Sequence, residues 1–395
     1  MSCSTPETIG HDPVPPAVPS NRFNLAATSL AEMTTLGVGG PVSRLVLAES
    51  EAEIVETIRE ADDAGIPVLM IGGGSNILAS DEAFDGVVVR DMRADIKTTE
   101  DDSCGGGEMI ATAGVPWDDL VVYSLESEWI GLEALSGIPG SVGAAPVQNI
   151  GAYGQEVAST IASLRVYDRA TQKIRTLFLS DLDFGYRHSL LKESMVTGSE
   201  GKKWGPSPRW IVLEVKFHLR RATLASPVQY GQLAKHLGVE LGARVLATDL
   251  RQAVLELRRS KSMVLDDTDR NTYSAGSFFT NPVLTEEQAT QLPEGAPRYG
   301  VSNSAAINQI GAAAPKFAGQ VKTSAAWLID HAGFPAGFNM PGPAALSTKH
   351  SLALTNRGGA NAQDLVNLAR TIRDGVIEKF GVTLVPEPVI LGVEI

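Results

Sequence analysis

Hydrophobic and polar positions alternate in short, punctuated blocks along most of the chain. Ser43–Ala48, Pro67–Ile71 and Gly86–Arg90 are short apolar runs of strand length. Between the first two, Ser50-Glu51-Ala52-Glu53 has the spacing of a capping box, and Ile54, Val55, Ile58 and Ala61 follow at helical spacing up to Gly65. This predicts a strand–helix–strand unit. Met109–Gly114 reads as a strand and Trp117–Glu128 as a helix, with a polar, Gly-rich exposed turn over Lys97–Gly107 before them. Thr160–Asp168 with Lys173–Leu179 reads as a hairpin, and Trp210–Leu219 alternates as a strand. Lys192–Pro208 lies between them as a polar insertion with no period.

A new unit is expected near Ala222. Thr248–Arg259 is predicted as a helix capped by Thr248, with Leu250, Val254 and Leu257 on one face. Asp266–Ser277 reads as polar loop, and Leu284–Gly311 as loop with a short helix after Thr285. Thr323–His331 and Asn361–Phe380 are predicted helices, the second with an apolar stripe that is a core face. Val382–Val385 and Val389–Val393 read as closing strands around Pro386 and Pro388.

Composition narrows the functional classes. The 395 residues call for two or three domains, and 43% hydrophobic with 20% charged residues is ordinary globular usage. The net charge of −13 argues against nucleic acid or an anionic membrane as partner. No apolar run is long enough for a membrane span. Two cysteines, Cys3 and Cys104, cannot build a disulfide framework or a multi-cysteine zinc site, which fits a reducing compartment. The six histidines show no metal-ligand spacing and read as surface or packing residues, and no metal is expected. Met1–Ser20 lacks a basic start and an apolar stretch, so it is no secretory signal. Its prolines and polar residues predict a disordered leader.

Two glycine-dense regions carry the candidate chemistry. Gly72-Gly73-Gly74-Ser75-Asn76 follows a strand directly; its successive N–H groups can form an anion nest for a pyrophosphate, or the turn can be tight and unliganded. It is neither a Walker loop nor a dinucleotide fingerprint. Gly137-Ile138-Pro139-Gly140-Ser141-Val142-Gly143-Ala144 is the second, running on to Asn149 and Tyr153; small residues there let backbone pack on a flat cofactor, or make an irregular buried loop. Together they point to one large dinucleotide ligand. Arg187 sits in the aromatic turn Phe184-Gly185-Tyr186-Arg187-His188-Ser189, where a surface salt bridge is the common use of an arginine. Ser277 stands before two phenylalanines, where turn or cap service is commoner. Glu387 lies between two prolines in a closing strand, as a buried, desolvated carboxylate or, more commonly, an edge-strand carboxylate in water. No G-x-S-x-G elbow supports a serine hydrolase.

Taken in order, these segments resemble the UDP-N-acetylenolpyruvoylglucosamine reductase (MurB) family. The match runs from Thr34-Thr35-Leu36-Gly37-Val38-Gly39-Gly40 through Gly72–Asn76, Gly131–Gly154, Phe184–Ser189, Tyr230-Gly231, Arg258-Arg259-Ser260-Lys261, Ser274–Pro282 and Ala326–Asp330 to Pro386-Glu387-Pro388. The resemblance implies an α+β protein. A two-part FAD-binding module of the vanillyl-alcohol oxidase and p-cresol methylhydroxylase type would occupy 21–92 and 93–222, an α/β substrate domain 223–385, and 386–395 would return to the FAD module. It implies NADPH-dependent reduction of UDP-N-acetylglucosamine enolpyruvate to UDP-N-acetylmuramate through non-covalent FAD, in the cytoplasm, by a monomer. By position, Ser277 matches the proton donor to C2, Arg187 the arginine that polarises the substrate carboxylate, and Glu387 the carboxylate that works with it. Tyr230, Lys261 and Asn281 match substrate-contacting positions, Tyr230 in a Tyr-Gly turn that resembles the type I branch, where a loop closes over substrate. Gly72, Gly73, Gly74, Ser75 and Asn76, with Gly137, Ile138, Pro139, Gly140, Ser141, Gly143, Ala144, Asn149 and Tyr153, match the FAD segments. Leu346-Ser347-Thr348-Lys349-His350 departs from the Val-His pattern of relatives. The alternatives are an oxidase on the same FAD module and a nucleotide-sugar binding protein without turnover.

Overall fold

The computed structural model describes residues 13–99, 106–302 and 316–395. Cys3, His11 and Cys104 lie outside the described residues, as do 1–12 of the expected leader, 100–105 of the expected 97–107 turn and 303–311 of the expected 284–311 loop.

The first layer is a parallel sheet in which Phe84–Asp91 runs between Val42–Ala48 and Val68–Met70. Val87, Val88 and Val89 are all buried, as a strand covered on both faces requires. The helix Glu51–Asp63 crosses over it and buries Ile54, Thr57, Ile58 and Ala61. Ser50 caps this helix by accepting from the Glu53 N–H at 3.2 Å. The reciprocal arm of the expected capping box closes one residue upstream, because the Glu53 carboxylate takes the Glu49 N–H at 3.0 Å.

The second layer is antiparallel, with strand order Lys173–Phe178, Ile161–Asp168, Trp210–Arg221, Gly107–Thr112 and Ile96–Thr99. Ile96–Thr99 is therefore a strand, although Lys97–Thr99 read as the start of a polar turn. It is an edge strand with Lys97, Thr98 and Thr99 exposed, so nothing demands apolar alternation. The helix Trp117–Glu126 packs Trp117, Leu120 and Val121 into the core of this layer.

The third part holds the sheet of Val283–Thr285, Lys316–Lys322 and Tyr299–Ser302, the hairpin Ala344–Leu346 with Leu354–Asn356, and the helices Ala325–His331 and Ala362–Phe380. Leu365, Val366, Leu368, Ala369, Ile372 and Val376 form the expected core face of the long helix. Val389–Leu391 pairs in parallel with Ile77–Ala79, directly after the first glycine loop. The expected strand Val382–Val385 does not form. Its backbone meets loop instead, with the Val385 carbonyl accepting from the Thr280 N–H at 3.0 Å.

Four further expectations are corrected. The leader is not loose over 13–20: Pro15 and Pro16 carbonyls accept from Arg251, the Val18 N–H donates to Asp118, and Ser20 is buried. The 192–208 insertion contains most of a helix, Leu190–Val196, whose cap Ser189 accepts from the Lys192 N–H. Gly231–Leu237 is a helix rather than only a turn. The helix Ala247–Ser260 has Leu246, not Thr248, at its cap position; the Ala247 N–H donates to the Thr223 carbonyl, so backbone replaces a side-chain cap.

Candidate active site

The two glycine-dense segments meet. A Cβ on Gly72 would lie 2.6 Å from Ser141 Oγ, and one on Gly73 would lie 2.5 Å from the Ser20 carbonyl oxygen and 2.8 Å from Gly140 Cα. Ser75 Oγ donates to the Pro139 carbonyl at 3.0 Å and ties one loop to the other. Beyond this junction opens a cavity of about 440 Å³. Its wall includes Gly72 to Asn76, Ile138 to Ser141, Gly143, Ala144 and Tyr153, and also Arg187, Tyr230, Lys261, Ser277 and Glu387. Seventeen of the twenty expected site positions thus line this wall; Gly137, Asn149 and Asn281 stand off it.

Those three are engaged elsewhere. The Gly137 N–H donates to Asp118 at 2.7 Å and its carbonyl accepts from Arg258 Nε at 3.1 Å. Asn149 is buried; its amide donates to Glu156 and to the Gly185 carbonyl, and its Oδ1 accepts the Ala158 N–H. It thereby ties the glycine-dense loop to the Arg187 turn. Asn281 Oδ1 accepts the Ala325 N–H at 2.9 Å, the first residue of the helix Ala325–His331.

Arg187 is set by a tight turn in which Gly185 and His188 exchange backbone hydrogen bonds, and it has a left-handed φ of 55°. A non-glycine residue held there signals a geometry that its surroundings enforce. Its Nη1 and Nη2 donate to the carbonyls of Asn149 and Gly151 at 3.3 and 2.7 Å. Its Nε lies 2.9 Å from Glu387 Oε1, off the N–H direction, so the contact is an ion pair rather than an aligned hydrogen bond. Burial opposes the Arg187 charge, but Glu387 and its other neighbours raise its pKa above the ordinary arginine value. Glu387 is fixed in turn by its N–H to the Phe278 carbonyl at 2.9 Å. That bond also brings Ser277, one residue before Phe278, to the same wall. Lys192 Nζ reaches Gln148 Oε1 at 2.9 Å and the Arg187 carbonyl at 3.3 Å, and burial lowers its pKa.

Tyr153 and Tyr230 pack edge to face with ring centres 5.6 Å apart, and Lys261 Nζ donates to Gln232 Oε1 at 2.7 Å. Burial, then the nearby Arg258, lowers the Lys261 pKa. An anion beside Lys261 would relieve both effects.

Among the cavity residues that escaped the sequence reading, three carry charge or chemistry toward the site. Arg258 uses Nε and Nη2 on the carbonyls of Gly137 and Met263, and burial lowers its pKa. No carboxylate pairs with it among the described residues. Arg90 lies over the Phe23 ring at 4.0 Å, and its buried Nη1 has no partner. Both arginines lie on the cavity wall, so the residues present fit an anionic dinucleotide such as FAD: close-packed glycine loops on one side, cations with unmet bonding capacity on others. The third is His350, whose Nε2 lies 3.2 Å from Ser277 Oγ. Arg258 stood in a segment already singled out, but the signal for Arg90 and His350 was tertiary.

The comparisons with known proteins agree in kind. A profile described as the C-terminal domain of UDP-N-acetylenolpyruvoylglucosamine reductase matches residues 268–391, and one described as an FAD-binding domain matches 42–177. A UDP-N-acetylenolpyruvoylglucosamine reductase from Cutibacterium acnes is 47% identical over 92% of this chain and 89% of its own length. One from Thermobifida fusca is 45% identical over 92% of this chain and 97% of its own. A solved structure of that reductase from Thermus caldophilus shares the fold at a TM-score of 0.57 and 23% identity, covering 92% of this chain and 97% of its own.

Proposed function

The chain belongs to the UDP-N-acetylenolpyruvoylglucosamine reductase family, and we propose that Arg187, Ser277 and Glu387 form the reacting end of its cavity. The protein is an FAD-dependent reductase of peptidoglycan-precursor synthesis that uses NADPH to convert UDP-N-acetylglucosamine enolpyruvate to UDP-N-acetylmuramate. When bound between these loops, FAD would supply the hydride chemistry of the reduction.

The chain's own residues do the rest. As negative charge grows on C2 and its carboxylate, a fixed cation there stabilises the transition state more than the ground state. Arg187 suits this role, because two carbonyls and Glu387 hold its guanidinium in one place. Ser277 gives its hydroxyl proton to C2. Lys261 meets the diphosphate as a point charge, and Arg258 adds positive field behind it. Tyr230, 44% exposed at the start of the helix Gly231–Leu237, closes over the bound substrate in the type I-like manner. Gly72 to Asn76 with Ile138 to Ser141, Gly143, Ala144 and Tyr153 hold FAD, while Gly137 and Asn149 act by fixing those loops. Asn281 acts from behind the wall, through the helix Ala325–His331.

The proposed division is an FAD-binding module in two parts, 21–92 and 93–222, a substrate domain over 223–385, and a return of 386–395 to the FAD module. The pairing of Val389–Leu391 with Ile77–Ala79 supports that return. We take the enzyme to act as a monomer. Among the described residues no helix is long and apolar enough to cross a membrane. From the family match we place the reaction in the cytoplasm.

The observation that carries the site assignment is that Ser277 and the Arg187–Glu387 pair open onto the cavity formed by both glycine loops. The test is anaerobic. Flavin absorbance should bleach with NADPH and recover on adding UDP-N-acetylglucosamine enolpyruvate, and Ser277→Ala should slow recovery alone. Recovery only with oxygen would support an oxidase instead.

A further inference from the structure

His350 and Ser277 are 73 positions apart in sequence, yet their Nε2 and Oγ approach to 3.2 Å at the cavity wall. The approach is built rather than incidental. Ser347 Oγ accepts the N–H groups of both Lys349 and His350, at 3.1 and 3.2 Å, and the His350 carbonyl accepts from the Ala353 N–H at 3.0 Å. Thus the imidazole stands on a pinned turn ahead of the strand Leu354–Asn356.

Which partner donates decides what the contact does. A serine that donates its hydrogen to His350 has none left for carbon. A histidine acting as base would also have to gain charge beside Lys261 and Arg258. Burial first, then those two cations, pushes its pKa down to about 4, so the ring is neutral near pH 7. A neutral imidazole carries one N–H, which can sit on Nε2 and donate to Oγ.

We propose that His350 is a positioning residue for Ser277: its Nε2–H donates to Oγ, turning the hydroxyl hydrogen toward the substrate carbon and stabilising the oxygen as that hydrogen leaves. This rests on the role given to Ser277 above. In the step, the Ser277 O–H bond breaks and the C2–H bond forms with the electron pair on C2. The O–H pair stays on Oγ as an alkoxide, while the Nε2–H bond stays intact. Lys261 and Arg258 add positive field to the same region. Water then returns a proton to Oγ.

The test separates the two half-reactions in the FAD-loaded enzyme under anaerobic conditions. His350→Phe keeps a flat ring but removes the donor. It should bleach with NADPH at the unaltered rate and slow recovery with the enolpyruvyl substrate by about 10²-fold, the usual effect of removing one such donor. Its solvent deuterium isotope effect on recovery should rise. His350→Gln, which can place an amide N–H near the Nε2 position, should regain most of the rate, whereas His350→Asn should not. FAD affinity, followed by flavin fluorescence, should be the same in all three. Recovery at the wild-type rate in His350→Phe, while Ser277→Ala is slow, would overturn the positioning role and leave Ser277 in place. If Ser277→Ala is itself as fast as wild type, the role of Ser277 falls and this inference with it. Equal rates in the Gln and Asn variants, or parallel losses in both half-reactions and in FAD affinity, would make His350 a structural residue only.

Discussion

Arg251 and Asp118 form a two-pronged ion pair in which neither side chain has any exposed surface, with Nη1–Oδ1 and Nη2–Oδ2 both at 2.8 Å. They join the helix Ala247–Ser260 to the helix Trp117–Glu126. Every remaining bond of the pair ties down a segment beside the cofactor loops. Arg251 also donates to the carbonyls of Pro15 and Pro16, and Asp118 accepts from the N–H groups of Val18 and Gly137. Burial alone would push the Asp118 carboxyl up, but Arg251 and the two N–H donors bring it below the ordinary range.

Removing one partner should therefore be costly. In Arg251→Met a carboxylate loses its cation in a buried site, and such a loss costs about 3–5 kcal/mol. Denaturant unfolding should show a drop of that order. A loss under about 1 kcal/mol would mean that water or a rearranged neighbour replaces the cation.

Truncating residues 1–20 should weaken FAD binding. The Ser20 carbonyl accepts the Gly140 N–H at 2.8 Å and sits against Gly73, so the segment clasps both glycine loops at once. Asn21, just beyond, lines the cavity. Loss of one or two such contacts predicts roughly a tenfold weaker Kd, about 1.4 kcal/mol. A fluorescence titration of the apoprotein would read it, and an unchanged Kd would show that the loops hold their shape alone.

This clasp also shows where the sequence stopped being informative. Five prolines in twenty residues read as disorder because the reading counts what the segment lacks, an apolar period. What fixes Pro15 and Pro16 is external: Arg251 lies more than 200 positions away. The same holds for His350, which has no local signal and is defined by Ser277. Elements with their own period were legible, as Glu51–Asp63, Trp117–Glu126 and Ala362–Phe380 show. Short strands such as Ala344–Leu346 and Leu354–Asn356 carry too few positions for a period and exist through their partners. Within the site, the glycine loops and the residues of Arg187, Ser277 and Glu387 stood out by motif. Gly137 and Asn149 shared that motif, yet their polar groups point to Asp118, Arg258, Glu156 and Gly185.

Arg187→Lys should fail although it keeps the charge. The guanidinium reaches the carbonyls of Asn149 and Gly151 and the Glu387 carboxylate simultaneously. An ammonium on a flexible stem cannot meet all three in one fixed plane. Recovery of the flavin with substrate should slow by roughly 10²–10³-fold, the scale of losing one preorganised charge contact. NADPH-driven bleaching in the same stopped-flow trace serves as the internal control. Wild-type recovery would remove Arg187 from the reacting end.

The His350 ring should stay neutral where an ordinary histidine protonates, and this has a stability signature of definite sign. Its pKa is about 4 in the folded protein, against the ordinary value of 6.5. Between these two values the unfolded chain holds more protons than the native one, so stability falls as pH drops from 6.5 toward 4. Above 6.5 both states are neutral and the group contributes no slope; below about 4 both are charged and the penalty stops growing. The shift corresponds to a penalty on the order of 2–4 kcal/mol. It should appear as the difference between wild type and His350→Gln in denaturant unfolding at pH 7, 5.5 and 4.5, because other titrating groups are common to both and cancel. The wild type should lose stability relative to the variant at each step down. An imidazole that NMR shows protonating near pH 6.5 would contradict this, and would place the ring in water rather than between Ser277, Lys261 and Arg258.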